Sequence, residues 1–287
     1  MTTYAFRIVN VFAEAALAGN PLCVFENALG LDAPTMQALA LQFNLSETTF
    51  ILPSERATAQ VRIFTPTFEM AFAGHPTLGT AHVVGALSGA TAVTLDMKAG
   101  IIPVTADGDV WTLQANAPRH RPVDASRADL AAMLGLDEAD LGEGPPLWVD
   151  TGSEQLIIPL ASVDAVRRAA PRPDLLLVHG SNGQRAMAYV WARDADGGMR
   201  GNDREAVTAR FFFPKHGSVI EDPGTGSACA NLGGWLLATG APLPRRISVA
   251  QGGAVNRPCR LLLDVTADRR ILVSGRVLEL GRGTIDL

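Results

Sequence analysis

Three ionisable residues, Glu47, His75 and Asp222, stand where proton-transfer chemistry could be built. His75 belongs to Gly74-His75-Pro76-Thr77, and Asp222 opens Asp222-Pro223-Gly224-Thr225-Gly226-Ser227. In each string, glycine and hydroxyl residues lead into a nearly uncharged stretch that reads as a helix. A helix start offers unpaired amide donors and about half a positive charge, so each string is a candidate anion site. Two such starts acting on one ligand would grip a carboxylate, with one ionisable residue at each mouth. Glu47 lies in NLSETTF, after a helix and at the start of an apolar strand. Partial burial there raises a carboxyl pKa toward the range useful for proton transfer.

Each residue also has a plain structural reading. His75 can be a packed or capping histidine, and an isolated Glu47 can cap a helix or face solvent. Asp222 before Pro and Gly is ordinary turn chemistry that caps a helix. Spacing alone leaves these readings open.

Other chemistries fit less well. No Lys-Ser or Lys-Thr follows the glycines at 224 and 226, and Cys229 stands where a dinucleotide fingerprint needs its third glycine, so nucleotide binding is unsupported. A serine hydrolase from Ser227, His75 and Asp222 lacks the G-x-S-x-G elbow. Cys23, Cys229 and Cys259 are far apart and in no C-x-x-C arrangement, which suggests buried thiols rather than a disulfide framework or zinc site.

Bulk composition narrows the class further. With 287 residues, 47% hydrophobic and 18% charged, the chain reads as an ordinary globular protein with two domains as the prior. A net charge of −5 without any Lys/Arg-rich run argues against nucleic acid or an anionic membrane surface as partner. No stretch approaches the ~20 apolar residues that span a bilayer, and the N-terminus has no leader pattern, so a cytoplasmic location is expected.

The elements that must position these residues follow from periodicity. Ala5–Phe12 and Leu22–Phe25 read as paired strands around Gly19-Asn20-Pro21, and Asp32 with Pro34 starts a helix that ends near Asn44. Strands follow at 48–52 and 58–64, and 101–105 with 110–113 forms a hairpin around Asp107-Gly108. The uncharged stretch 75–87 between them must be wrapped by a curled sheet rather than laid on a surface. A proline-bearing charged segment, 117–122, marks the expected domain boundary, and a short helix runs from about 126 to 134.

The second half repeats the plan, with strands expected at 155–160, 175–178, 188–192 and 209–213 before a second uncharged helix over 226–237. Gly74 is expected to open the first buried helix and Gly224 the second. Strands at 247–250, 259–265, 271–273 and 277–280 follow, with a turn at Ser274-Gly275, and some return to the first domain. The expected domains are 1–116 plus about 277–287, and 117–276.

Taken together and in order, these pieces resemble the phenazine-biosynthesis PhzF-like family. The blocks are GNPLCVF at 19–25, NLSETTF at 44–50, RIFTPTFEMAFAGHPTLGTA at 62–81, DTGSEQLIIPL at 150–160, ARFFFPKHGSVIEDPGTGSACA at 209–230 and QGGAVNRP at 251–258. The resemblance implies the α+β diaminopimelate-epimerase-like fold, with two pseudo-symmetric domains, each a barrel-like sheet around a central helix, and the active site in the cleft between them.

It further implies a cofactor-independent isomerase, without metal, acting on a small anionic carbon acid, with Glu47 as the proton-shuttling acid/base and His75 and Asp222 hydrogen-bonding the substrate. Gly74, Gly224, Thr225, Gly226 and Ser227 are carried over as substrate-binding positions, and a homodimer as the assembly. Related epimerases of this fold place a cysteine just before each helix-start glycine, where this chain has Ala73 and Pro223. An amino-acid epimerase and a non-catalytic binding protein of the same fold remain as alternatives. Asn20, Glu69, His82, His216 and Arg257 are left outside the catalytic set, since turn, capping or packing roles explain each.

Overall fold

An uncharged helix can only be stable where apolar surface surrounds it, and two such helices organise the chain. The computed structural model describes residues 1–194, 199–200 and 203–287. They divide into two compact units, Met1–Gln114 with Ser274–Leu287, and Ala115–Val273.

The chain opens with β1 (Thr3–Val11), β2 (Asn20–Phe25), α1 (Ala33–Phe43), β3 (Thr48–Leu52), β4 (Ala59–Phe64), β5 (Glu69–Met70), α2 (Gly74–Ser88), β6 (Ala92–Met97), β7 (Gly100–Asp107) and β8 (Val110–Gln114). It continues with β9 (Arg119–Pro122), α3 (Arg127–Leu134), β10 (Leu147–Asp150), β11 (Glu154–Pro159), α4 (Val163–Arg168), α5 (Pro173–His179) and β12 (Ala188–Arg193). It ends with β13 (Met199–Arg200), β14 (Arg204–Lys215), β15 (Ser218–Asp222), α6 (Gly226–Ala238), β16 (Arg245–Gln251), β17 (Cys259–Val265) and β18 (Ile271–Asp286).

In the first unit, strands β1, β2, β3, β4, β6, β7, β8 and the later part of β18 pair in that order, and β18 returns to β1, so the eight strands close into a barrel. The β2–β3 and β4–β6 contacts are parallel and the rest are antiparallel where their register is resolved. The parallel steps need crossovers, supplied by α1 and α2. Helix α2 is buried along most of its length. Its glycines permit that wrapping: a Cβ on Gly79 would lie 2.6 Å from Leu22, and one on Gly85 2.5 Å from Trp111. Outside, α1 packs on an aromatic cluster in which Phe25 and Phe50 stack at 4.8 Å. Asp32 caps its start by accepting from the Thr35 amide, and Asn44 ends it in the left-handed region at φ 51°.

In the second unit, β9, β10, β11, β12, β14, β16 and β17 pair in that order, with β11–β12 and β14–β16 parallel. This is the same succession of parallel and antiparallel steps as in the first unit. Helix α6 forms the crossover from β14 to β16 and is buried along nearly all its length. Gly233 and Gly234 leave room for Ile271 and Val149, each of which a Cβ would meet within 3 Å. Helix α3 carries a capping box between Ser126 and Asp129.

Three expectations need correction. Residues 175–178 are not a strand but lie in α5, which starts with Pro173 and has Asp174 in its first turn. Ser274-Gly275 is not a turn, because β18 runs unbroken from 271 to 286. Gly275 instead leaves space for Phe12, whose ring would sit 2.2 Å from an added Cβ. The second central helix opens at Gly226 with Thr225 as its N-cap, so Gly224 lies in the turn before it.

Candidate active site

Strand pairing places the first pair of ionisable groups. Because β2 and β3 run parallel with Cys23 opposite Thr48, the residue before β3, Glu47, stands beside the start of β2. His75 is the second residue of α2, and the barrel wraps that helix start so closely that the imidazole is 5% exposed. Its Nε2 lies 3.5 Å from Glu47 Oε2, whose side chain is 15% exposed, and its Nδ1 lies 3.3 Å from the Asn20 side-chain amide. One level deeper, Thr80 donates to Thr49 at 2.8 Å in full burial, which fixes α2 against β3 beneath the pair.

Burial pushes the His75 pKa down from 6.5 to about 3, against a smaller opposing effect of a hydrogen bond to the Pro21 backbone. The contact with Glu47 is therefore a neutral imidazole beside a carboxyl group, not an ion pair. Burial decides this because 3.5 Å is long for a charge-assisted bond. A neutral ring carries one proton on two nitrogens, so its tautomer decides whether Nε2 donates or accepts at this edge.

The second group is built on the β14–β15 hairpin and the start of α6. Asp222 ends β15, and the Thr225 hydroxyl donates to its Oδ2. The buried Gln251 amide donates to the Asp222 carbonyl at 2.9 Å and to Thr225 Oγ1 at 3.0 Å, and its oxygen accepts from the Thr225 amide at 3.4 Å. Ser227, one residue into α6, accepts from Gln155 at 3.0 Å; Asn231 in turn donates to Gln155 and accepts from Thr151. The starts of α2 and α6 have no side-chain cap on their first-turn amides, groups that lack partners within the helix itself.

Glu47 and His75 are thus brought together in the first unit with Gly74, and Asp222 with Gly224, Thr225, Gly226 and Ser227 in the second. Asn20 joins the first group although the sequence marks it only as a turn residue. The GNP string signals a turn, and contact with the imidazole arises from the barrel. Gly19 at φ +82° makes the approach possible, since its Cβ would meet the Val11 carbonyl at 2.6 Å. Among the described residues, no group of three or more His, Cys, Asp or Glu is arranged to hold a metal. The three cysteines are buried, and burial pushes each thiol far up, away from the thiolate form.

Comparison with known proteins decides the family. The profile described as "Phenazine biosynthesis-like protein" matches residues 9–281. The chain belongs to this family. It is 37% identical to an uncharacterised isomerase of Pasteurella multocida, covering 99% of this chain and 95% of that protein. It is also 33% identical to the trans-2,3-dihydro-3-hydroxyanthranilate isomerase of Pseudomonas chlororaphis, over 98% of this chain and 99% of that one. The PhzF-family structure from Bacillus anthracis shares the fold, with a TM-score of 0.88, 24% identity and complete coverage of both chains. A hydroxyproline epimerase from Agrobacterium vitis matches at TM-score 0.65 and 16% identity, over 99% of this chain and 93% of that one. This phenazine biosynthesis-like protein is an isomerase of the PhzF type. Among its described residues no helix is long and apolar enough to cross a membrane.

Proposed function

We propose that this isomerase moves a proton within a small anionic carbon acid, with Glu47 as the single acid/base. The observation that carries the reading is the Glu47 carboxyl, largely buried and 3.5 Å from a neutral imidazole. Glu47 takes a proton from an acidic C–H bond and becomes a carboxylic acid. The electron pair spreads into the adjoining unsaturated carboxylate or enol, and Glu47 returns the same proton at another carbon. No electrons are gained or lost, and the substrate's own conjugated system takes up the electron pair, so the step as proposed uses neither metal nor organic cofactor.

A carbon acid is far less acidic than a carboxyl group, so the delocalised anion must be stabilised in a water-poor site. His75 and Asp222 supply hydrogen bonds to the substrate. Gly74, Gly224, Gly226 and Ser227 hold its carboxylate with helix-start amides and the Ser227 hydroxyl, while Thr225, carried over to the same site, turns its hydroxyl onto Asp222. One carboxylate suffices where an epimerase needs two opposed bases, and Ala73, Pro223 and the deeply buried cysteines offer no thiol pair.

The relatives named for trans-2,3-dihydro-3-hydroxyanthranilate make that compound the first substrate to test. Proton NMR in D₂O should show deuterium entering a substrate carbon with the wild type, and a loss of roughly 10²–10⁴-fold in Glu47→Gln. Exchange that survives in Glu47→Gln overturns the role of Glu47. The same reading takes the protein to be a cytoplasmic homodimer, and light scattering reporting the mass of one chain, 30.3 kDa, would contradict the dimer.

A further inference from the structure

A primary amide has two hydrogens and one oxygen, and the partners of Gln251 leave it one orientation. The Asp222 carbonyl can only accept and the Thr225 backbone N–H can only donate. The nitrogen must therefore face Asp222 and the oxygen must face the Thr225 amide. The second N–H of Gln251 then donates to Thr225 Oγ1 at 3.0 Å. With an Oγ1 lone pair so occupied, the Thr225 hydroxyl hydrogen is directed onto Asp222 Oδ2.

We propose that Gln251 and Thr225 form a one-way hydrogen-bond relay that presents Asp222 as an oriented carboxylate, making Gln251 a positioning residue for the reaction. Gln251 is 3% exposed and Thr225 9%, so water does not compete for these bonds. The backbone holds the relay closed from the other side. Gly252 sits at φ +78°, with room for a Cβ neither at the Pro223 carbonyl, 2.4 Å away, nor at that of Arg257, 2.3 Å away. The strand end that carries Gln251 is thereby pressed against the turn that follows Asp222. The charges of Asp222 and Arg257 both reach the Cys259 thiol, which burial keeps protonated, while neighbouring Glu221 is engaged by Arg210. The effect of the relay on turnover rests on the proposed isomerase reading. The relay itself can be measured without substrate.

The test is the titration of the Asp222 carboxyl, followed by carbon NMR of the labelled folded protein and assigned with Asp222→Asn. Thr225→Val removes the hydroxyl and should move the Asp222 titration up by about one pH unit, because a hydrogen bond to the charged form is lost. Thr225→Ser keeps the hydroxyl and should restore the wild-type value. Gln251→Met releases the hydroxyl from its forced direction and should give a smaller upward shift. Equal titrations in Thr225→Val and Thr225→Ser overturn the relay, and an unshifted Gln251→Met removes Gln251 from it. If Gln251→Met does not fold, the Thr225 pair alone decides. With a turned-over substrate, Thr225→Val should lower kcat at least tenfold and move the acid limb of the pH profile upward. Failure of the wild type to turn over any carbon acid would sink the isomerase reading and leave the titration result standing.

Discussion

His75 Nε2 lies 3.5 Å from Glu47 Oε2, and burial keeps that imidazole uncharged down to a pH of about 3. A histidine held neutral beside a carboxyl group neither neutralises it nor locks it in an ion pair. His75 is therefore a directional hydrogen-bonding group rather than a counter-ion, as the proposed acid/base role of Glu47 calls for.

The same burial makes the fold sensitive to acid. The unfolded chain binds a proton at His75 near pH 6.5, whereas the folded chain resists it to about 3. Protonation thus favours unfolding: the contribution of neutral His75 is fully present above pH 6.5 and is lost as pH falls toward 3. From the linkage relation the loss at pH 5 is about 2 kcal/mol. Urea unfolding at pH 7 and pH 5 should show His75→Gln losing about that much less stability between the two values. His82, also lowered by burial, adds in the same direction in both proteins.

Much of this arrangement is legible in the sequence, and the failures have physical causes. The buried helix from Gly74 is readable because an uncharged helix has one stable environment. The LLLV run at 175–178 reads equally as strand or helix, since a short apolar run has no period of its own. There Pro173 and Asp174 were the better signals, marking a helix start. Gly224 stands outside α6 because the turn carries Asp222 and Pro223 before Thr225 can cap the helix. The contacts of Asn20 with His75 and of Gln251 with Asp222 join residues distant in sequence, and no local pattern encodes them.

Gly275 illustrates a glycine kept for space rather than for a turn. A Cβ there would lie 2.2 Å from Phe12 Cδ1, and Phe12 is fully buried. Gly275→Ala must displace that ring and should cost about 1–3 kcal/mol, read as a lower urea midpoint with an unchanged slope. A change below a few tenths of a kcal/mol would contradict the packing described.

Gly252→Ala should affect turnover as well as stability. The left-handed φ of +78° costs a side chain about 1–2 kcal/mol, and the added carbon runs into the carbonyls of Arg257 and Pro223. Pro223 follows Asp222 directly, so relief of the clash moves the turn that presents the carboxylate. We expect kcat to fall at least tenfold, measured at a temperature where circular dichroism shows the variant folded. An Ala variant with wild-type kcat would show that the turn tolerates the displacement.

Thiol chemistry offers the sharpest separation between one-base isomerisation and two-base epimerisation. Cys229 and Cys259 both belong to the second unit, are at most 5% exposed, and are driven toward the neutral thiol by burial. Neither stands at position 73, before the helix-start Gly74, or at position 223, before Gly224 in the turn that leads into α6; Ala73 and Pro223 are found there. Cys229→Ala and Cys259→Ala should each retain exchange within about twofold of wild type. Iodoacetamide added to the folded enzyme should leave the rate unchanged, because the attacking species would be a thiolate that burial suppresses. Rapid inactivation, protected by substrate and abolished in Cys229→Ala or Cys259→Ala, would instead place a thiol at the reacting carbon and displace Glu47 as the sole base.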